Sequence, residues 1–341
     1  MSDLTVRELK QQDWDGWDHW LALQPWGSPF SASWWLDANC RAFGGHPLLL
    51  GVLDGEQLMG GVALRITDVG PLHVVRPANI YNPVVIALGS QQSRQRVLVA
   101  LLEDMARRRL IVRPLTCTPD MVDLRGAAWH HWDLTVAWTV VQALKTWTLD
   151  DVSRSELKKM RKAQRAGVTA GVEPLDADIL YDFIHATVLR HAQGGTPTGN
   201  GLLPGERLLT RERLHILIEA AGAHGMQVVV RDVDGTPLSA DFLMFLGTRV
   251  AYAIWGGSSA IGLTKGAAVA MYVFMLKELR ARGYEYLDWC DASQPGYSDF
   301  KLEFGGTLTT RLAVSREPQW LTALVPVHVR LSRLKGLLRR H

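Results

Sequence analysis

Three clusters of residues in this 341-residue chain have the types and spacing to do chemistry. The first is Arg154, Lys158, Arg161 and Arg165, whose spacing puts them on one face of a helix, with Lys159 and Lys162 flanking them. Six cations in twelve residues with a single acid make a dense positive stripe. It suits the phosphates of a nucleotide, a tRNA acceptor stem or an anionic lipid; a solvated helix face would have the same composition.

The second cluster is Gly262-Leu-Thr-Lys-Gly-Ala-Ala268. Here Thr264 can cap a helix whose small first-turn residues, Gly266, Ala267 and Ala268, leave backbone N–H groups free. Lys265 adds a charge, so the start of this helix reads as an anion site, or as a plain helix start built for close packing. The third runs from Leu287 to Gly306, LDWCDASQPGYSDFKLEFGG. Phe300, Leu302 and Phe304 alternate as the inward face of a strand, which puts Lys301 and Glu303 on its outer face.

An internal repeat supplies the elements that position these groups. Leu48 to Ile66 (LLLGVLDGEQLMGGVALRI) matches Val228 to Leu246 (VVVRDVDGTPLSADFLMFL), with Asp54-Gly55 over Asp234-Gly235, an offset of 234 − 54 = 180. In each, two apolar β-rich runs flank an Asp-Gly turn, a strong hairpin signal because this pair tolerates positive φ. A helix follows each hairpin, from about Ser93 to Arg108 and from about Lys265 to Arg282, the second ending at Gly283. A strand is expected over Tyr284 to Trp289. The spacing predicts a further helix over 153–165, capped by Ser153 and ended by Gly167. Residues 193–205 read as a Gly/Pro-rich surface loop, and those after Pro318 as a basic, leucine-bearing tail. The expected class is α+β in two tandem units, 1–147 and 148–316, followed by a tail over 317–341.

The run G-Y-x-x-F-K-x-x-F-G-G, beginning at Gly296, resembles the C-terminal signature of the Fem aminoacyltransferases and their GNAT-like relatives. RSELKKMRKAQRAGV resembles their basic helix between two domains, and FSASWW, residues 30–35, with the Gly-Gly hairpin after Asp54 is similar to their N-terminal start. The resemblance implies two GNAT-like domains of mixed sheets flanked by helices. One is the acceptor side, the other the donor side, and an aminoacyl or acyl group passes to an amine such as that of a peptidoglycan precursor. It implies that Lys301 supports the developing oxyanion or the donor phosphate, with Phe300 packed beside it. Tyr297, Asp288 and Asp291 are the nearby groups able to relay a proton. Donor contacts fall to Thr264, Lys265, Gly266 and the stripe of Arg154, Lys158, Arg161 and Arg165; acceptor contacts fall to Trp34, Trp35 and Arg41. The family lysine that follows this Trp is absent here; the sequence continues Leu36-Asp-Ala-Asn-Cys-Arg41. In the GNAT pattern for the coenzyme A pyrophosphate, Gly266 and Ala268 fit, but Leu263 stands where Arg or Gln belongs. Aminoacyl-tRNA is therefore the favoured co-substrate, acyl-coenzyme A is the alternative, and a non-catalytic binding or membrane-surface module is the third reading.

Other chemistries lack support. The net charge is only +3, so polyanions must be met by a local patch, and stable DNA binding is not expected. Three scattered cysteines suit reduced thiols, the start lacks a signal peptide, and the longest apolar run, Ala267 to Leu276, is too short to span a bilayer; a cytoplasmic protein is expected, with at most weak membrane-surface association. No metal-ligand spacing or serine-hydrolase elbow occurs. Trp14, Trp17, Trp20 and Leu21 sit near helical spacing and read as one apolar face under an N-terminal helix.

Overall fold

In the computed structural model the described residues are 4–76, 84–193, 209–290, 292 and 295–317, with the side chains of 191–193 and 295–297 left out of the description. The tail and most of the Gly/Pro-rich loop lie outside them, as does Asp291. The first half runs β1 (Leu4–Glu8), α1 (Trp14–Ala22), α2 (Ser33–Phe43), β2 (His46–Asp54), β3 (Gln57–Val69), β4 (Leu72–Arg76), β5 (Val85–Ile86), α3 (Gln91–Arg107), β6 (Leu110–Thr116), α4 (Arg125–Trp129) and β7 (Asp133–Ala143). The second runs α5 (Arg154–Arg165), β8 (Thr169–Glu173), α6 (Ala177–Gln193), α7 (Arg211–Ala221), β9 (Gly225–Arg231), β10 (Pro237–Phe245), β11 (Val250–Ser258), α8 (Ala260–Lys265), α9 (Ala267–Ala281), β12 (Tyr286–Asp288), α10 (Pro295–Leu302) and β13 (Thr307–Arg316).

Both repeated segments are hairpins, β2–β3 and β9–β10, and Gly55 and Gly235 hold positive φ at their turns. Each copy then adds an antiparallel strand, a crossover helix and a parallel strand: β4 beside β6 through α3, and β11 beside β12 through α8 and α9. The final strands are exchanged. β13, the last strand of the second copy, pairs with β6 of the first, and β7, the last strand of the first, pairs with β12 of the second. The two then pair with each other over Thr307–Ser315 and Asp133–Val141. The resulting order, β1-β2-β3-β4-β6-β13-β7-β12-β11-β10-β9-β8, is two mixed sheets joined edge to edge, with pseudo-twofold symmetry between β13 and β7. The exchange removes an unpaired edge from each half.

Three apolar clusters cover the sheet. One joins α1 and α2 of the first half to α6 and α7 of the second over the face that carries Tyr252 and Phe242. The other two lie beneath α3 and beneath α9. Trp17 and Leu21 on α1 are fully buried and Trp14 and Trp20 pack beside them, so the N-terminal tryptophans are core residues as their spacing predicts.

The segment 300–304 departs from the expected strand. Residues 295–302 form α10, opened by Pro295, and the turn that follows brings Phe304 back onto Phe300 with ring centroids 5.1 Å apart. Leu302 is exposed and Lys301 is buried, the reverse of the expectation. An alternation of three residues also fits one helical turn, and Pro at the first helical position with a missing N–H favours the turn.

Candidate functional site

Strands β11 and β12 pair in parallel only at Val250–Tyr286, Ala251–Leu287 and Tyr252–Asp288, after which β11 runs on to Ser258 without β12. The parting of these strands is the centre of the candidate site. After Asp288 the backbone is pulled back toward β7: Trp289 N–H donates to the Val140 carbonyl at 3.0 Å, and Cys290 adopts a positive φ of 66°.

Lys301 on α10 is 7% exposed and its Nζ donates to the Trp289 carbonyl at 2.8 Å. Around it, Tyr272 of α9 touches the rings of Trp289, Phe300 and Phe304 at 5.0, 5.4 and 5.6 Å. The Trp289 carbonyl, on a residue whose ring belongs to this aromatic cluster, holds the ammonium just past the C-terminal end of β12. Phe300 packs against Tyr272 and Phe304 in this cluster.

Asp288 is fully buried, and both of its oxygens are engaged. Oδ1 accepts from Thr139 Oγ1 at 2.5 Å and from Cys290 N–H at 2.8 Å, and Oδ2 is ion-paired with Arg311 of β13, itself 2% exposed. Three strands from both halves thereby meet at one carboxylate. Burial, with Asp288 nearby, pushes the Cys290 thiol well above its ordinary range.

A further acid stands on the neighbouring strand. Asp241 of β10 is 4% exposed, and its cross-strand partner on β11 is Gly256. A Cβ at Gly256 would lie 2.1 Å from Asp241 Oδ2, so the glycine is what lets the carboxylate lie across β11. Burial pushes its pKa well above the usual carboxylate range, against the pull of the Lys301 charge. The signal for it was a lone acid in the apolar run LSADFLMFL, which the repeat comparison passed over.

The basic stripe is a helix as predicted. Ser153 caps α5 by accepting from Glu156 N–H, and Gly167 follows at positive φ. Arg154, Lys158, Arg161 and Arg165 are exposed, while Leu157 and Met160 pack against the core beneath α9. At its N-terminus, Ser153 N–H donates to the Glu303 carbonyl at 2.8 Å, which ties α5 to the chain just after Lys301.

The helix start at 262–268 is built differently from the expectation. Ser259, not Thr264, caps α8; the Thr264 hydroxyl donates back to the Ile261 carbonyl, and Gly266 breaks α8 from α9 at φ 81°. A Cβ at Gly266 would lie 2.6 Å from the Lys159 carbonyl, so the small residues here seat α5 against the start of α9. Lys265 is ion-paired with Asp232 at 2.5 Å.

Of the acceptor-side residues, Trp35 is fully buried and reaches Trp255 of β11, with ring centroids 6.1 Å apart. Trp34 is half-buried and stacks on His224 at 5.0 Å. Arg41 points outward and pairs with Asp37 one turn earlier, so it is not brought to the site. Tyr297 stands on α10, its side chain outside the described residues, and so is Asp291 altogether. Among the described residues, no cluster of three or more His, Cys, Asp or Glu could hold a metal ion, and no helix is long and apolar enough to cross a membrane.

No protein-family model and no curated protein matches the sequence. Solved structures do. The chain is similar to FemX at 15% identity and a TM-score of 0.68, covering 94% of this chain and 99% of that one. It is also similar to L-PGS from Bacillus licheniformis (13%, 0.54, covering 88% and 97%). A third likeness is to a tandem GNAT protein from the clavulanic acid biosynthesis pathway (11%, 0.50, covering 92% and 98%). Likeness at these identities speaks to architecture, and the exchanged strands and the parting of β11 from β12 give that architecture its local form. The chain has the Fem-like fold of two tandem GNAT units.

Proposed function

We propose that this protein is an N-acyltransferase of the Fem type, moving an aminoacyl group from aminoacyl-tRNA to an amine. The observation that carries the donor assignment is the seating of α5. In GNAT enzymes the start of the long helix receives the coenzyme A pyrophosphate; here the Lys159 carbonyl closes on Gly266 and Lys265 is paired with Asp232. The exposed cations of α5 offer phosphate contacts instead, on a helix anchored next to Lys301. An RNA end matches such a stripe better than a single pyrophosphate does.

In this reading residues 148–316 form the donor side, residues 1–147 the acceptor side and 317–341 a basic tail. Lys301 supports the oxyanion that develops on the donor carbonyl, or the terminal phosphate beside it. An aminoacyl ester is already activated, so holding an unprotonated nitrogen against a polarised carbonyl supplies most of the rate. Tyr297 and Asp291 remain proton-relay candidates, whereas the engaged oxygens of Asp288 suit it to holding Cys290 and Arg311 in place. The acceptor is an amine of a cell-wall precursor or another small amine, met at the Trp34 and Trp35 side in the cytoplasm.

Filter binding of charged tRNA over a salt series tests the donor. Lys158→Glu with Arg161→Glu should weaken binding at every salt concentration and flatten the dependence by about 0.7–0.9 log units per cation removed. Equal binding by wild type and the double variant rejects the assignment. A melting temperature raised by coenzyme A, with no tRNA binding, would instead favour a coenzyme A-dependent N-acetyltransferase. Flotation with liposomes, without either ligand effect, would favour a membrane-surface module.

A further inference from the structure

We propose that Asp241 is the proton acceptor of this transfer, the group that deprotonates the substrate ammonium so that its nitrogen can attack. This rests on the N-acyltransferase reading above. Asp241 lies over Gly256, on the length of β11 that β12 has already left. Its Oδ1 has no hydrogen-bond partner although the residue is buried, and a buried carboxylate oxygen left open in a charged neighbourhood calls for an explanation. The charged and titratable groups facing it are Lys301 from α10, Tyr272 from α9 and Cys290 from the segment after β12; its partner on β9, Val228, is apolar. The acid is also confined to one copy. At the repeat offset, 241 − 180 = 61, the first half carries Gly61, whose added Cβ would strike the Leu50 carbonyl at 2.3 Å and the Trp17 ring at 2.7 Å.

The step balances as follows. The Asp241 carboxylate takes one proton from the ammonium, giving a carboxylic acid and a neutral amine. The nitrogen lone pair forms the new carbon–nitrogen bond, and the bond from the acyl carbon to its leaving oxygen breaks. That oxygen takes the second proton from the former amine, and Asp241 returns its own proton to solvent. Burial raises the basicity of the carboxylate toward what this transfer needs, and the Lys301 charge keeps an ionised fraction available.

The test uses the full chain, a mixed pool of radiolabelled aminoacyl-tRNAs as donor, and two probe acceptors: glycinamide, largely an ammonium at neutral pH, and hydroxylamine, which is unprotonated there. With enzyme-free rates subtracted, Asp241→Asn should lower transfer to glycinamide by about 100-fold or more. Transfer to hydroxylamine should stay within a few-fold of wild type, and Asp241→Glu should recover part of the glycinamide rate. If Asp241→Asn lowers both acceptors equally, or neither, the assignment is overturned. If Asp241→Asn does not fold, Gly256→Ala, which displaces the carboxylate without removing it, must give the same split. A wild-type chain that transfers to neither probe defeats the acyltransferase reading itself, and the role of Asp241 with it.

Discussion

Arg311→Met should be among the most damaging substitutions in the chain, and Asp288→Asn should rescue it. Arg311 and Asp288 are 2% and 0% exposed and form an ion pair across the exchanged strands. Removing the guanidinium leaves a buried carboxylate with only Thr139 and Cys290 N–H as donors, a loss of about 3–5 kcal/mol. Asp288→Asn alone removes the carboxylate that faces the buried Arg311 charge and should cost a similar ~3–5 kcal/mol. In the double variant no charge is buried, and the Asn carbonyl still accepts from Thr139 and Cys290. Its loss should be only about 1 kcal/mol, against roughly 6–10 kcal/mol if the two losses added. Urea unfolding followed by the emission of the thirteen tryptophans, at constant m-value, measures all four chains. A double variant that loses the sum of the two single losses would refute the charge-pair account.

Two further outcomes are expected. Burial raises the pKa of Asp241 above its ordinary 3.8, so the stability this group contributes is complete below that value and is lost as pH rises toward the raised folded value. Asp241→Asn should therefore melt with wild type near pH 4 and above it at pH 8, by about 2–4 °C for each kcal/mol relieved; the reverse order at pH 8 would mean that the pair with Lys301 outweighs burial. Gly266→Val meets both a φ of 81° and the Lys159 carbonyl 2.6 Å from the new Cβ, so differential scanning calorimetry should show a loss of about 2 kcal/mol or more. An unchanged melting temperature would mean that α5 does not seat there.

What could be read from the residues follows from where the determinants are local. The two hairpins carry their turn chemistry within four residues, and α5 carries its cap, its stripe and its terminating glycine, so each forms where its pattern predicts. The α8–α9 break has no local signal, because it depends on α5 approaching Gly266, a contact between residues more than a hundred positions apart in the chain. The burial of Lys301 is not legible in the sequence, because three alternating apolar residues carry no period long enough to separate strand from helix. The strand exchange has no local signature at all. Nothing within β7 or β13 marks which half it joins, and the pairing with β12 and β6 shows that each completes the other half.

That exchange bears on why the proposed centre lies at the end of β12. β12 is three residues long and would have β11 alone beside it if each copy closed on its own final strand elsewhere; β7 of the first half supplies its other edge, and Thr139 with it. Arg311 on β13 reaches Asp288 across β7, so the C-terminal end of β12 is held by residues from both copies. At the matching end of β6, Cys117 N–H is tied to the Leu312 carbonyl of β13 just as Trp289 N–H is tied to Val140 of β7, but the acid of β10 is replaced on β3 by Gly61. The end of β12 thereby keeps a buried acid, a buried ammonium and an anchored cationic helix within one neighbourhood. This asymmetry supports the proposal of one catalytic centre in the second half, braced by strands of the first.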